Sequence, residues 1–221
     1  RDGGMLAAMD TSMIVALALV AGFMALVLGL VAYGVTQGKR RRTAIEALAP
    51  TMGLSFQASD DSQPLRYAHL ETFSRGTEKR ASNLVSGTIG HAEVCVFAYR
   101  FITHGVRSHT TTLKTVCILR ASDLDLPQFT LRREVPLLDR LVEAVEGQDI
   151  DFEEDPEFSR KMVLRGKDPE ATRRFFTADL RAHFLRYHAS MYSFEGGDNL
   201  LVVDCGLLVK PAKLGEFLKQ M

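Results

Sequence analysis

The sequence predicts an α+β protein: one N-terminal transmembrane helix, followed by an antiparallel-sheet domain with about three packed helices. Residues 13–35 form a long uncharged apolar stretch, strand-like segments then follow one another in hairpins, and most helical segments come late in the chain. Consecutive strands joined by short turns are typical of an antiparallel sheet, whereas a doubly wound sheet alternates strands with helices. We predict four parts: an extracytoplasmic tail (1–12), a transmembrane helix (13–36), a basic juxtamembrane helix (37–52) and a cytoplasmic α+β domain (53–221).

The apolar stretch at residues 13–35 is long enough to cross a membrane. It has no charged residue, Pro, Asn or Gln, and at 1.5 Å per residue it extends roughly 34 Å, against a hydrocarbon core of about 30 Å. A cleavable signal peptide is the alternative, but its apolar region is shorter, follows the positive charges and precedes a cleavage site. Here the basic residues come after the stretch, which favours a permanent anchor.

The basic cluster after the stretch predicts the orientation. It consists of Lys39, Arg40, Arg41 and Arg42. Basic residues beside a span stay in the cytoplasm, and only Arg1 lies at the other end. We therefore predict a single-pass protein of the inner membrane, with its N-terminus outside, its domain in the cytoplasm, and lipid head groups bound at the cluster.

Small residues repeat along one side of the predicted span at intervals of 4, 3, 4, 3 and 4. They are Ala18, Gly22, Ala25, Gly29, Ala32 and Thr36. Such residues let a second helix approach closely, and close packing is what drives helix association in lipid. Chance is the alternative, because Ala and Gly are frequent throughout this span. We predict that this seam packs against helices of partner subunits.

Apolar periodicity and turn residues predict the elements of the domain. The predicted strands are residues 83–90, 92–103, 110–120, 129–133, 162–166, 191–195 and 200–204. The predicted helices are residues 42–51, 136–146, 168–187 and 211–221, with a loop at 57–65 and hairpin turns at 104–108 and 196–199. Alternation places two sets on shared strand faces: Cys95, Phe97, Tyr99 and Phe101, and then Leu113, Thr115, Cys117 and Leu119.

The charge distribution argues against nucleic acid as a partner. The chain has 27 basic and 27 acidic residues. Five of the basic residues (Arg1 and the basic cluster) and two of the acidic ones (Asp2 and Asp10) precede Thr43. From Thr43 onward, 22 basic and 25 acidic residues therefore remain. A weakly acidic domain lacks the clustered Lys and Arg that neutralise phosphates.

No motif predicts catalysis, a cofactor or a metal site. The three cysteines, Cys95, Cys117 and Cys205, form no CxxC pair and are interpreted as buried thiols. The histidines form no HExxH or Cys/His cluster, and the sequence contains neither GxSxG nor a phosphate-binding loop.

Two charged groups are interpreted as solvated surface. The acidic run, Asp149, Asp151, Glu153, Glu154, Asp155 and Glu157, has the oxygen ligands of a Ca²⁺ or Mg²⁺ site but lacks the glycine and closing Glu of an EF-hand loop. The basic group, Arg173, Arg174, Arg181 and Arg186, is predicted to form an exposed helix face.

Three stretches resemble bacterial single-pass membrane-anchored proteins of unknown function. They are LAPTMGLSF after the basic cluster, the run from NLVSGTIGHAEVCVFAYRF to TTTLKTVCILR, and DIDFEEDPEFSRKMVLRGKDPEAT. The resemblance implies a membrane-anchored cytoplasmic domain and identifies no catalytic residue.

Two function hypotheses follow. The first is a non-catalytic accessory subunit that caps the cytoplasmic face of a larger membrane complex, such as a photosynthetic or respiratory one, and contacts the helices and cytoplasmic surfaces of its other subunits. The second is a membrane-anchored enzyme or ligand sensor whose site is assembled from scattered residues, for example His104, Arg107 and His109 near a hairpin tip. An apolar pocket with convergent polar groups favours the second, and a large contact with other chains favours the first.

Overall fold

The structure, a computed structural model, describes residues 3–105, 108–134, 149–186 and 192–220. The predicted helix at residues 136–146 and the candidate site residue Arg107 lie outside these ranges. The chain divides into two compact units, Arg1–Ala44 and Ile45–Met221.

The first helix, α1, spans Gly3–Leu48. Among the described residues one helical stretch, within Ala18–Met52, is apolar and long enough to cross a membrane, with mean hydropathy 2.3 and no buried residue in its most apolar part. Residues 42–51 are helical as predicted, but instead of forming a separate short helix they continue α1, because the intervening Lys and Arg residues are good helix formers. Pro50 and Gly53 end it as predicted, through a 3₁₀ turn and a left-handed glycine with φ +72°.

The described part of the second unit forms one antiparallel sheet of eight strands in the order β1-β2-β3-β4-β8-β7-β5-β6. The strands are β1 (Ser55–Ser59), β2 (Thr77–Ile89), β3 (Ala92–His104), β4 (His109–Arg120), β5 (Leu126–Arg133), β6 (Met162–Gly166), β7 (Ser193–Asp198) and β8 (Leu200–Asp204). The described helices of this unit are α2 (Gln63–Arg66), α3 (Glu71–Ser74), α4 (Pro156–Lys161), α5 (Pro169–Phe175), α6 (Ala178–Leu185) and α7 (Leu214–Gln220). The predicted fold class is confirmed.

The prediction missed β1 and the first residues of β2. Residues 57–65 were expected to be a loop, but β1 occupies the first of them and pairs with β2 at the edge of the sheet, and α2 begins at Gln63. An edge strand needs few apolar residues, which is why its polar sequence concealed it. Likewise β2 begins six residues before the predicted start, and Glu78 and Asn83 lie in left-handed conformation where its register shifts.

The two faces of the sheet are covered differently. On the first face, the end of α1 and helices α4 to α7 pack over a core rich in phenylalanine, including Phe129, Phe158 and Phe176. On the second face, residues of the α2–α3 segment cover β2, β3, β4 and β8, and Phe73 packs there against Tyr99 with ring centroids 5.1 Å apart. The predicted face of β3 lies in this second core, with Phe97, Tyr99 and Phe101 buried.

The single helix predicted at residues 168–187 is two helices, α5 and α6. Asp168 caps the first by accepting a hydrogen bond from the Ala171 N–H at 3.0 Å, as expected from its position before a proline. Thr177 then caps the second, accepting from the Leu180 N–H at 3.4 Å. The break turns Phe176 and Phe184 onto the same core, where their rings stack at 5.6 Å.

The second hairpin is tighter than predicted, because Gly196 and Gly197 belong to β7 rather than to its turn. The turn lies at Asn199, and Asp198, the last residue of β7, adopts φ +52°. A side chain at Gly196 would come within 2.3 Å of the Phe129 ring, so packing on the first face requires glycine there.

The outer edge of β6 is covered by the chain itself. The Ile150 N–H donates to the Leu164 carbonyl at 2.8 Å, and the Ile150 side chain is buried in the first core.

Candidate functional site

The predicted partner-packing seam lies on α1. All six of its residues, Ala18, Gly22, Ala25, Gly29, Ala32 and Thr36, are exposed in the isolated chain. A methyl group added at Gly22 or Gly29 would meet no atom within 4 Å. The Thr36 hydroxyl donates to the Ala32 carbonyl at 2.7 Å, within the helix. The seam therefore has room for a neighbouring helix, and its partner stays a prediction.

The predicted membrane-surface residues also lie on α1. Lys39, Arg40 and Arg42 are exposed, whereas Arg41 is half-buried. Three of the four cations are thus accessible to lipid head groups, and this contact stays a prediction.

The histidines near the first hairpin tip come together. His104 and His109 are directly opposite in the β3–β4 register, with ring centroids 4.6 Å apart. The His104 Nδ1 lies 3.4 Å from the Thr77 hydroxyl. Both rings are exposed, so this part of the predicted alternative site is a surface pair and not a pocket.

The acidic run and the basic group contact one another, contrary to their interpretation as separate solvated surfaces. Arg181 is only 6% exposed, and its Nε donates to an Asp155 carboxylate oxygen at 2.9 Å. Its guanidinium lies 4.2 Å from the centre of the Phe152 ring. Asp149 likewise accepts from Arg165 at 2.7 Å. These charges are engaged within the fold, so the solvated reading was wrong for Arg181, Asp149 and Asp155.

The cysteines are free thiols, with Cys117 and Cys205 buried and Cys95 half-buried. Burial raises the pKa of the Cys95 thiol to about 11 and that of Cys205 to about 12, which keeps both protonated at neutral pH. Across the described ranges, no group of three or more His, Cys, Asp or Glu side chains is placed to hold a metal ion.

A groove that sequence reasoning missed lies on the second face, where the α2–α3 segment stops and the sheet is uncovered. Its volume is about 610 Å³. We call it the basic groove and define it by its charged lining residues: Arg66, Arg120, Arg165, Lys167, Glu195 and Asp198. One wall is the segment around Tyr67, and the floor is formed by the ends of β4 and β6 and by the β7–β8 hairpin.

Backbone pairing fixes the cations of the floor. Arg120 is opposite Leu200 in the β4–β8 register, and Arg165 is opposite Thr130 in the β5–β6 register. The Lys167 N–H donates to the Gln128 carbonyl at 3.1 Å, just beyond β6. Arg120 lies more than 40 positions before Arg165 and Lys167 in the sequence, so no local motif could have predicted that they line one groove.

A smaller depression of about 210 Å³ adjoins the groove, sharing Thr130 and Glu195 with it. It contains an ion pair in which the Lys114 ammonium donates to the Asp204 carboxylate, with side chains 10% and 13% exposed. Lys114 also lies 5.2 Å from the centre of the Phe101 ring. Asp204 accepts a second bond from the Gly206 N–H at 2.9 Å, so this pair fixes the chain after β8.

Comparison with known proteins supports the fold alone. No protein-family model matches the sequence, and no curated protein sequence matches it. The crystal structure of the mycobacterial trehalose monomycolate transport factor A, TtfA, is similar, with a TM-score of 0.57 and 15% identity. The match covers 82% of this chain and 88% of that one. At this identity, the similarity establishes a shared architecture.

Proposed function

We propose that this protein is a non-catalytic accessory factor of a larger membrane protein complex, anchored by α1 and presenting its α+β domain on the cytoplasmic face. The observation that carries the proposal is the seam on α1, which combines small residues at helical spacing with open space at Gly22 and Gly29. Because apolar side chains gain nothing by leaving lipid tails, close backbone packing is the main force available to such a helix.

The fold similarity suggests the class of host complex. TtfA is described as a trehalose monomycolate transport factor, and a shared architecture over most of both chains is compatible with a related role. We therefore propose a membrane transport assembly as the host, ahead of the photosynthetic or respiratory complexes that the sequence left open. Identifying the proteins that accompany the full chain through mild-detergent purification separates these hosts.

The seam is tested by overpacking it. Gly22→Leu or Gly29→Leu introduces a branched side chain where a partner backbone would lie, which typically costs about 1–3 kcal/mol and weakens association roughly tenfold or more. The controls are Leu19→Ala and Leu30→Ala, at positions that are 70% and 63% exposed and lie off the seam. The measurement is the fraction of each variant that stays with its complex after extraction. Equal retention of seam and control variants would contradict the proposal.

The orientation is tested by labelling. A cysteine introduced at Ser12 is expected to react with a membrane-impermeant thiol reagent added outside intact cells, and one at Ser59 only after lysis. Ser59 is exposed at the end of β1, so a lack of reaction there reports the membrane and not burial. The reverse pattern would place the domain on the other side.

A second candidate function is a membrane-anchored ligand-binding domain, which the basic groove favours. A volume of about 610 Å³ lies within the usual range of small-molecule sites, roughly 300–1,000 Å³. The two functions are compatible, because the seam and the groove belong to different units.

A further inference from the structure

We propose that the basic groove binds a phosphate-bearing ligand, with Arg66, Arg120 and Lys167 as its recognition residues. The ligand is either a lipid head group or a soluble phosphate ester, and both present the same chemistry to the groove. This site is independent of the accessory role proposed above, since it requires no partner chain.

The lining of the groove has a net positive charge, although one of its cations, Arg165, is paired with Asp149. Four of its lining side chains are cationic and two are acidic. Of the acidic pair, Glu195 is engaged by the α3 segment: its Oε1 accepts from the Glu71 N–H at 2.7 Å, and its Oε2 accepts from Thr72 at 3.0 Å. Asp198 is exposed at the tip of the hairpin. An anion entering the groove therefore meets cations whose field is only partly balanced.

The cations approach from different sides. Arg66 comes from the wall above the sheet, Arg120 from the end of β4, and Lys167 from beyond β6. The Arg120 Nη2 donates a hydrogen bond to the Tyr67 hydroxyl at 3.2 Å, and this contact orients the guanidinium. A phosphate group has three acceptor oxygens and carries up to about two negative charges. It accepts donors from several directions at once, and Arg is especially suited to it.

Gly197 lines the groove and contributes no side chain to it. A methyl group there would approach the Cγ of Gln128, a lining residue, at 3.2 Å. Gly197 has no left-handed φ, so its backbone conformation does not require glycine. A larger residue at this position would instead fill the groove from its floor, and this provides a steric test that leaves every charge in place.

The test uses the purified full chain in uncharged detergent and three probes: inorganic phosphate, glycerol 3-phosphate, and dihexanoyl phosphatidylglycerol. Binding is measured by calorimetry at low and high salt. We expect at least one probe to bind. Arg66→Gln, Arg120→Gln and Lys167→Gln should each weaken that binding about tenfold, Gly197→Leu should abolish it, and added salt should weaken it for the native chain. The control, Arg174→Gln, removes an exposed cation on α5 outside the groove and should bind like the native chain.

The probes also identify the source of the phosphate. If glycerol 3-phosphate binds as well as the lipid, the ligand is a soluble ester; if only the lipid binds, and it still does so after Lys39 to Arg42 are all changed to Gln, the ligand is a lipid head group. Binding of none of the three probes at millimolar concentration would overturn the proposal. So would binding that the groove variants and Gly197→Leu leave unchanged while circular dichroism shows them folded. Loss of partner association in the seam variants has no bearing on this result.

Discussion

Glu195 on β7 holds Thr72 at the start of α3, although 123 residues separate them: its Oε2 accepts hydrogen bonds from both the backbone N–H and the hydroxyl of Thr72, each at 3.0 Å. The other carboxylate oxygen accepts from the Glu71 N–H. One side chain thus fastens the α2–α3 segment over the second face of the sheet. The same segment forms a wall of the basic groove.

Changing Glu195 to Gln should loosen that segment. An amide has one acceptor oxygen, so at least one N–H of Glu71 or Thr72 would face a donor, at a cost of about 1 kcal/mol because both sites are partly open to water. We expect faster hydrogen exchange at these two amides, with little change in the strands. Glu78→Gln is the control, because Glu78 lies in a long, exposed contact of 3.9 Å with Arg100. If hydrogen exchange at the Glu71 and Thr72 amides stayed as slow as in the native chain, the hydrogen bonds to Glu195 would not be what holds this segment in place.

Asp155→Asn should destabilise the domain. It removes the carboxylate that faces Arg181, whose guanidinium is nearly buried, while asparagine still caps α4. Breaking a buried ion pair from one side costs about 3 kcal/mol or more, and Glu154 at 3.4 Å from Arg181 keeps the cost at the low end. Chemical denaturation at pH 7 measures it. Glu157→Gln, which removes an exposed pair with Lys161, should change little.

The Asp155 contribution should depend on pH. Burial raises the pKa of Asp155, but the hydrogen bonds from Arg181 and from the Phe158 N–H outweigh it, and the pKa lies below its usual value. A lowered pKa in the folded state stabilises the fold above the unfolded-state pKa, about 4, and that stabilisation is lost as the pH falls below it. The stability difference between the native chain and Asp155→Asn should therefore shrink below about pH 4. A difference that stayed constant down to pH 3 would contradict this assignment.

Tyr99→Phe should leave the domain as stable as before, or make it more stable by about 1 kcal/mol. The hydroxyl of Tyr99 is buried and has no hydrogen-bond partner in the part of the chain that the structure describes. Burial, and then the nearby Asp204 charge, raises its pKa to about 12. Tyr67→Phe serves as the comparison. The Tyr67 hydroxyl accepts a hydrogen bond from Arg120, so removing it should bring no gain in stability. Thermal denaturation compares the two, and a clear loss for Tyr99→Phe would refute the prediction.

The cysteines should resist thiol reagents while the domain is folded. Burial raises the pKa of the Cys95 thiol to about 11, so at pH 8 about 0.1% of it is thiolate, the reactive form. Cys117 is fully buried, and burial raises the pKa of its thiol well above its usual value. Ellman's reagent should react slowly, first at Cys95, and with all three thiols at once in guanidinium chloride. Fast reaction of the native chain would show that these strands open readily.

The elements that were predicted well are those whose apolar pattern is dictated by a face of the sheet. Strands β3 and β4 were placed within one residue at each end because their alternate side chains must be buried. The first half of β2 was missed because its residues are polar and its register shifts at Asn83. The break between α5 and α6 was missed because Thr177 interrupts a pattern that is otherwise continuous, and a single cap residue is a weak signal.

The groove could not be predicted, because strand order brings its residues together. Arg120 and Lys167 line one groove only because β8, β7 and β5 lie side by side between β4 and β6, and this is a property of the sheet's topology. Likewise, the burial of Arg181 depends on Phe152 and Asp155, which are distant in sequence from it. A charged side chain is expected to be exposed when only its sequence neighbours are known, whereas the tertiary contacts of Arg181 bury it.

The hydrogen bond from Ile150 to Leu164 has a consequence for how the protein behaves at high concentration. Exposed strand edges recruit strands from other molecules, and this is a common route to aggregation. At β6 an incoming strand would first have to displace Ile150, whose side chain is 4% exposed, and so would open the core beneath it. Ile150 therefore blocks the pairing of another strand with β6, and self-association through this edge requires partial unfolding.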